Sequence, residues 1–140
     1  MVEFGRGVIA LPGKFCKKLY HRIRNIWESR RPWGHYKVLE DTAGRKIKTI
    51  FVEPGKRLSL QKHRHRAEYW LVASGSGLVH LGDREIHLKP GNSVVIPKNT
   101  THRVTNQGKE TLVFVEVQVG DYLEEDDIIR LDDDYGRAAG

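Results

Sequence analysis

From Tyr36 to Val119 the chain alternates apolar and polar residues over short runs, and no helical period interrupts them. That feature constrains the fold more than any other. The runs are Tyr36–Glu40, Lys46–Glu53, Leu58–His63, Glu68–Ser74, Leu78–Leu81, Arg84–Leu88, Ser93–Ile96, His102–Asn106 and Leu112–Val119. Val, Ile, Thr and aromatic residues dominate them, as a pleated surface favours. Turn signals fill the gaps: Ala43-Gly44, Pro54-Gly55, Gly75-Ser76-Gly77, Gly82-Asp83, Pro90-Gly91, Pro97-Lys98-Asn99 and Gln107-Gly108. Parallel strands need crossovers of roughly a dozen residues or more, usually helical. None is available, so the expectation is an all-β chain folded as an antiparallel sandwich or jelly-roll barrel. At 140 residues it has the length of one domain with a real core.

The flanks read differently. Lys14 to Glu28 predicts an N-terminal helix: Phe15, Leu19, Ile23, Ile26 and Trp27 form an apolar stripe, bounded by Pro12-Gly13 and Pro32. The stripe is expected to pack on the barrel or on a partner subunit rather than on a membrane. Leu123 to Leu131 predicts a short terminal turn or helix, with acids early and Arg130 late, as a helix dipole prefers. The chain thus divides into an N-terminal segment with the basic helix (1–30), a barrel (31–120) and an acidic tail (121–140), within a single domain overall.

The net charge of +6 hides an asymmetry. Residues 1–32 carry eight Lys and Arg against two acids, whereas residues 121–140 carry eight acids against two arginines. Mutual neutralisation, within a subunit or across a dimer, accounts for this better than nucleic acid does, since no RNP, zinc-finger or helix-turn-helix pattern accompanies the basic residues. The lone Cys16 excludes an internal disulfide and fits a reducing compartment. The longest stretch without a formal charge, Tyr69 to Gly82, has 14 residues, too short and too polar to span a bilayer. No secretory signal is legible at the N-terminus. A soluble cytoplasmic protein is expected, without membrane or nucleic-acid partners.

Chemistry concentrates in Gln61-Lys62-His63-Arg64-His65-Arg66-Ala67-Glu68. Alternate residues of a strand share a face, so Gln61 and His63 point the same way. Glu68 opens the next strand and comes alongside them, and His102 lies on a later one. Two imidazoles, a carboxylate and an amide carbonyl converging inside a barrel suit a divalent first-row metal. With three neutral donors and one carboxylate, such a site keeps a net charge of about +1, which suits a sugar hydroxyl or carbonyl that gains negative charge in reaction. Trp33 and Trp70 read as core.

The complete spacing adds a likeness. Gly55, Gln61, His63, Glu68 and Gly75, followed by Gly91, Pro97, Asn99, His102 and Asn106, resemble the two signature motifs of the cupin superfamily. Gln61 stands for the first His of the motif and Asn99 for a Gly. A narrower likeness covers roughly residues 30–137. Arg31-Pro32-Trp33-Gly34-His35-Tyr36, Pro54-Gly55-Lys56-Arg57-Leu58-Ser59-Leu60-Gln61, His65-Arg66-Ala67-Glu68, Ile96-Pro97, His102-Arg103, Glu116-Val117-Gln118 and Glu125-Asp126-Asp127-Ile128-Ile129-Arg130 together resemble the type II phosphomannose isomerase domain. That domain is usually the C-terminal part of bifunctional mannose-1-phosphate guanylyltransferase/mannose-6-phosphate isomerases.

The resemblance implies a cupin barrel with an N-terminal helix and a metal set of Gln61, His63, Glu68 and His102. Zinc is the first choice, and other first-row divalent ions also fit the donors. It places an arginine where Arg130 stands, as a cation for phosphate or developing negative charge. Tyr69 departs from the family, which commonly has His after that Glu; strand alternation turns Tyr69 away from Glu68. His65 shares parity with His63 and is the simplest titratable candidate for the base, with a rim residue as the alternative. Lys48, Arg57, Arg64 and Arg66 are further phosphate candidates, most of them expected at the surface.

The reading is then a metal-dependent isomerase interconverting mannose 6-phosphate and fructose 6-phosphate, without the guanylyltransferase domain, which would act as a separate partner. No Gly-rich phosphate loop opens a βα unit here. A homodimer is the cupin default. The rival of another class is a non-catalytic cupin binding a sugar phosphate or nucleotide sugar, as a sensor or partner subunit.

Overall fold

A computed structural model describes residues 29–138. The helix expected over 14–28 lies outside the described residues. The rest is all-β: β1 (Ser29–Arg31), β2 (Gly34–Thr42), β3 (Arg45–Val52), β4 (Leu60–His63), β5 (Arg66–Ser74), β6 (Gly77–Leu81), β7 (Arg84–Leu88), β8 (Ser93–Ile96), β9 (His102–Thr105), β10 (Leu112–Gly120) and β11 (Ile128–Asp132). All pairings are antiparallel. One sheet runs β1-β2-β3-β10-β5-β8, and the other runs β11-β4-β9-β6-β7. The two sheets face each other as a jelly-roll barrel, the architecture that short strands without crossover helices require.

Two strands were not legible as such. β1 pairs with β2 through a hairpin in which Arg31 opposes Gly34. Gly34 has φ +144°, and a Cβ there would sit 2.0 Å from the Phe51 carbonyl oxygen, so glycine is required for this close approach. β11 replaces most of the turn or helix expected over Leu123–Leu131. A single 3-10 turn forms at Glu125–Asp127, and then Ile128 to Asp132 pairs with β4. An open edge at β4 and two β-branched residues, Ile128 and Ile129, outweigh the dipole pattern.

The barrel interior is divided along the strands. Inward positions of β3 run Lys46, Lys48, Ile50, Val52, and those of β5 run Arg66, Glu68, Trp70, Val72. β10 runs against both, so Gln118 and Glu116 lie beside the polar ends while Phe114 and Leu112 lie beside the apolar ones. The apolar half adds Val79, Val104, Leu81 and Ile96 to make the core. Burial of such side chains stabilises by roughly 1.5–3 kcal/mol each. The other half is a polar chamber.

Candidate metal centre and its cavity

His63, Glu68 and His102 meet in that chamber, each no more than 2% exposed, with possible ligand atoms all within 4.8 Å of one another. Each sheet contributes: β4 brings His63, β9 His102 and β5 Glu68. Gln61 is directly paired with His102 across β4 and β9, and its Oε1 accepts a hydrogen bond from Ser59 Oγ at 2.8 Å.

The donors are poised for a cation. His102 Nδ1 donates to the Thr100 carbonyl at 2.9 Å, which fixes the tautomer and leaves the Nε2 lone pair free. His63 Nε2 lies 3.1 Å from Glu68 Oε1 and His102 Nε2 lies 3.6 Å from Oε2, yet neither nitrogen meets hydrogen-bond geometry. Buried polar atoms without partners are rare and call for a ligand. Here two imidazole nitrogens beside one carboxylate fit a divalent metal. Burial works against the Glu68 charge, but His102 and His63 outweigh it and hold the carboxyl well below its usual range. Arg66 Nε at 3.0 Å and Trp70 Nε1 at 3.2 Å donate to the two carboxylate oxygens and orient them.

Asn99 occupies the place of a motif glycine, and its φ is +61°. Asn tolerates this left-handed region, so the departure costs little. Its backbone N–H donates to the His63 carbonyl at 2.7 Å and ties the loop before β9 to the ligand strand.

The chamber opens into a cavity of about 50 Å³. Lys48, Glu116, Gln118 and Arg130 line it, and all but Arg130 are buried. Lys48 Nζ meets Glu125 at 2.5 Å and sits 4.5 Å from the Tyr36 ring centre. Burial opposes its charge, but Glu125 and Glu116 prevail and raise its pKa. Burial, then the nearby Glu68 charge, pushes the Glu116 carboxyl up to about 7. Glu116 accepts a hydrogen bond from Gln118 Nε2 at 2.6 Å.

His65 is not brought to this cavity. β4 ends at His63, and residues 64–65 form the bend into β5, so the shared parity with His63 is lost. Its side chain is half exposed, with Nδ1 3.7 Å from Asp121 and the ring edge-on to Tyr122. Among the phosphate candidates, Arg66 is a buried partner of Glu68, Arg64 is exposed, and Arg57 pairs at the surface with Asp134. Tyr69 points outward, 46% exposed. Trp33 and Trp70 belong to the core cluster, and Trp33 also reaches the cavity. Sequence reasoning quoted Glu116 and Gln118 without a role. The available signal was parity: both face inward with Phe114.

Comparison with known proteins agrees with this geometry. The family profile described as Mannose-6-phosphate isomerase C-terminal matches residues 18–133. The alginate biosynthesis protein AlgA of Pseudomonas aeruginosa is 50% identical over 117 residues, covering 83% of this chain and 24% of the relative. The mannose-1-phosphate guanylyltransferase ManC of Salmonella typhimurium is 41% identical over 118 residues, covering 84% and 24%. The chain therefore spans about a quarter of the length of the curated relatives it matches. Among solved structures, a conserved double-stranded β-helix protein of Klebsiella pneumoniae superposes with a TM-score of 0.63 at 22% identity, covering 73% of this chain and 90% of that one. A Bacillus subtilis oxalate decarboxylase, whose Mn(II) centres have been characterised, gives 0.66 at 21% identity, covering 74% and 29%. These two establish the cupin fold. By profile and by identity, the chain belongs to the Mannose-6-phosphate isomerase C-terminal family.

Proposed function

We propose that the protein is a metal-dependent aldose–ketose isomerase interconverting mannose 6-phosphate and fructose 6-phosphate. The observation that carries this reading is the pair of partnerless imidazole nitrogens beside Glu68, which with Gln61 lines a cavity rich in cations. Gln61, His63, Glu68 and His102 would hold the ion. Zinc suits that donor set, and manganese, the ion of the oxalate decarboxylase neighbour, is its competitor. When bound, the ion supplies electrophilic polarisation of the sugar oxygens.

Isomerisation moves the C2 proton to C1 and a second proton from the C2 hydroxyl to the C1 oxygen. The chain must supply a group that accepts and returns a proton on the cavity wall. Glu116 takes that role in place of His65, because it lines the cavity and has a carboxyl raised to about 7. Gln118 orients it. Arg130 supplies positive charge at the cavity. Guanylyl transfer belongs, in this reading, to a separate partner, with cytoplasmic polysaccharide biosynthesis as the setting. Tyr69, Leu71 and Val95, exposed together on the outer face of β5 and β8, support a homodimer.

The test is to measure bound metal and follow fructose 6-phosphate formation from mannose 6-phosphate with and without chelator. Metal-dependent turnover is expected. A metal-loaded protein that binds the sugar phosphate without turning it over is a binding cupin instead.

A further inference from the structure

Of the acids in the tail, Glu125 alone lines the cavity, where it pairs with Lys48. Arg57 holds Asp134 through two hydrogen bonds of 2.7 and 2.6 Å, and Arg103 holds Asp132 at 2.8 Å. Tyr135 donates to the Arg57 carbonyl at 3.2 Å. Asp133 grips Arg137 through the backbone N–H and both ends of the guanidinium, at 2.7 to 3.0 Å. Asp132 and Asp134 pin the tail to the barrel, Asp133 holds Arg137, and beyond β11 the tail presents Arg137 to the cavity.

Arg137 has company there. Arg31, from the β1 edge, and Arg130, from β11, line the same cavity. Burial first, then Arg137, lowers the Arg130 pKa, with Asp133 and Glu125 acting against them. Its Nε is buried without a partner, and no carboxylate among the described residues lies within ion-pair distance of it. Arg31 is oriented by neutral groups, donating to Ser29 Oγ at 2.7 Å and the Tyr36 hydroxyl at 3.1 Å. The cavity lining holds five cations against three carboxylates, and the Asp133 carboxylate that grips Arg137 brings the surplus to one positive charge. A buried guanidinium nitrogen without a partner, flanked by two further arginines, is suited to receive an anion.

We propose that Arg31, Arg130 and Arg137 form the subsite for a phosphomonoester dianion, with the C-terminal tail serving as the strap that carries one of its three guanidiniums. The assignment of the phosphate to a sugar substrate rests on the isomerase reading; the anion subsite itself does not. Three planar forks match the oxygens of a terminal phosphate, which lysine cannot do in the same way.

The experiment titrates metal-loaded protein with inorganic phosphate by calorimetry, comparing the unaltered chain with Arg31→Gln, Arg137→Gln and, as a control, Arg84→Gln on exposed β7. Far-UV circular dichroism and melting temperature verify folding. Each subsite variant is expected to weaken phosphate binding tenfold or more, and Arg84→Gln to leave it unchanged. Equal binding in all four, or no binding to the unaltered chain, overturns the subsite. Turnover distinguishes the two readings. Activity with KM for mannose 6-phosphate unmoved by Arg137→Gln removes the subsite and keeps the isomerase. Arginine-dependent phosphate binding without turnover keeps the subsite and removes the isomerase. GDP-mannose displacing phosphate more tightly than mannose 6-phosphate, with the same arginine dependence, overturns the monoester assignment.

Discussion

The Nδ1 proton of His102 is committed to the Thr100 carbonyl, and that commitment leaves the opposite nitrogen available as a ligand. Removing either imidazole should therefore cost metal before it costs the fold. His63→Ala and His102→Ala are expected to lower metal occupancy about tenfold or more, read by elemental analysis, while circular dichroism stays barrel-like. Undiminished metal in both variants would overturn the ligand assignment. Glu116 gives a pH signature. Its carboxyl titrates at about 7 in the native protein and at the ordinary 4.5 when unfolded. Between those values the native state keeps a proton that the unfolded chain has released, so stability falls as pH rises through the window and stays reduced above it. In chelator-treated protein, Glu116→Gln should add roughly 1–3 kcal/mol at pH 8 and little at pH 4.5, measured by urea melts; an equal gain at both pH values would contradict this. At this scale the sequence was readable where spacing and residue type agreed, as at His63, Glu68 and His102. It misled at His65, because parity holds only along a strand and the bend at residues 64–65 breaks it.

The bend itself is an element with a fastening. The Asp127 carboxylate, buried in the 3-10 turn, accepts the backbone N–H groups of Arg64 and His65, both at 3.1 Å. It sets the link between β4 and β5, and with it the distance from His63 to Glu68. Asp127→Ala removes the charged acceptor of both N–H groups, so a loss of about 1–3 kcal/mol is expected, with weakened metal affinity; Asp127→Asn should restore part of both. A melt and a competitive chelator titration measure the two. Full metal affinity in a destabilised Asp127→Ala protein would separate the bend from the site. β11 shows why element reading stopped short. Ile128-Ile129-Arg130 is too brief to announce a strand, and only the open edge of β4 makes it one. The strands of the barrel were legible because their inward residues repeat at period two regardless of polarity: Lys46 and Lys48 share a face with Ile50 and Val52.

For the molecule as a whole, the charge asymmetry resolves into specific ion pairs. The acidic tail meets barrel cations, Arg57 and Arg103, as well as its own Arg137, partners that composition cannot choose between. The outer face of β5 and β8 stays apolar, with Tyr69 opposite Val95 and Leu71 half exposed beside them. Leu71→Glu should convert a dimer to a monomer, read by light scattering coupled to size exclusion. A mass unaffected by the substitution would place any self-association elsewhere. The pairing of β4 carries a consequence in time. This strand bears Gln61 and His63, yet it shares a single register pair with β9, and its other neighbour is β11, which follows every other described strand in sequence. During synthesis the apolar half of the barrel can close first. The strand that carries Gln61 and His63 then waits for a partner made after all the other strands, so the candidate metal centre is expected to be the last part of the barrel to form.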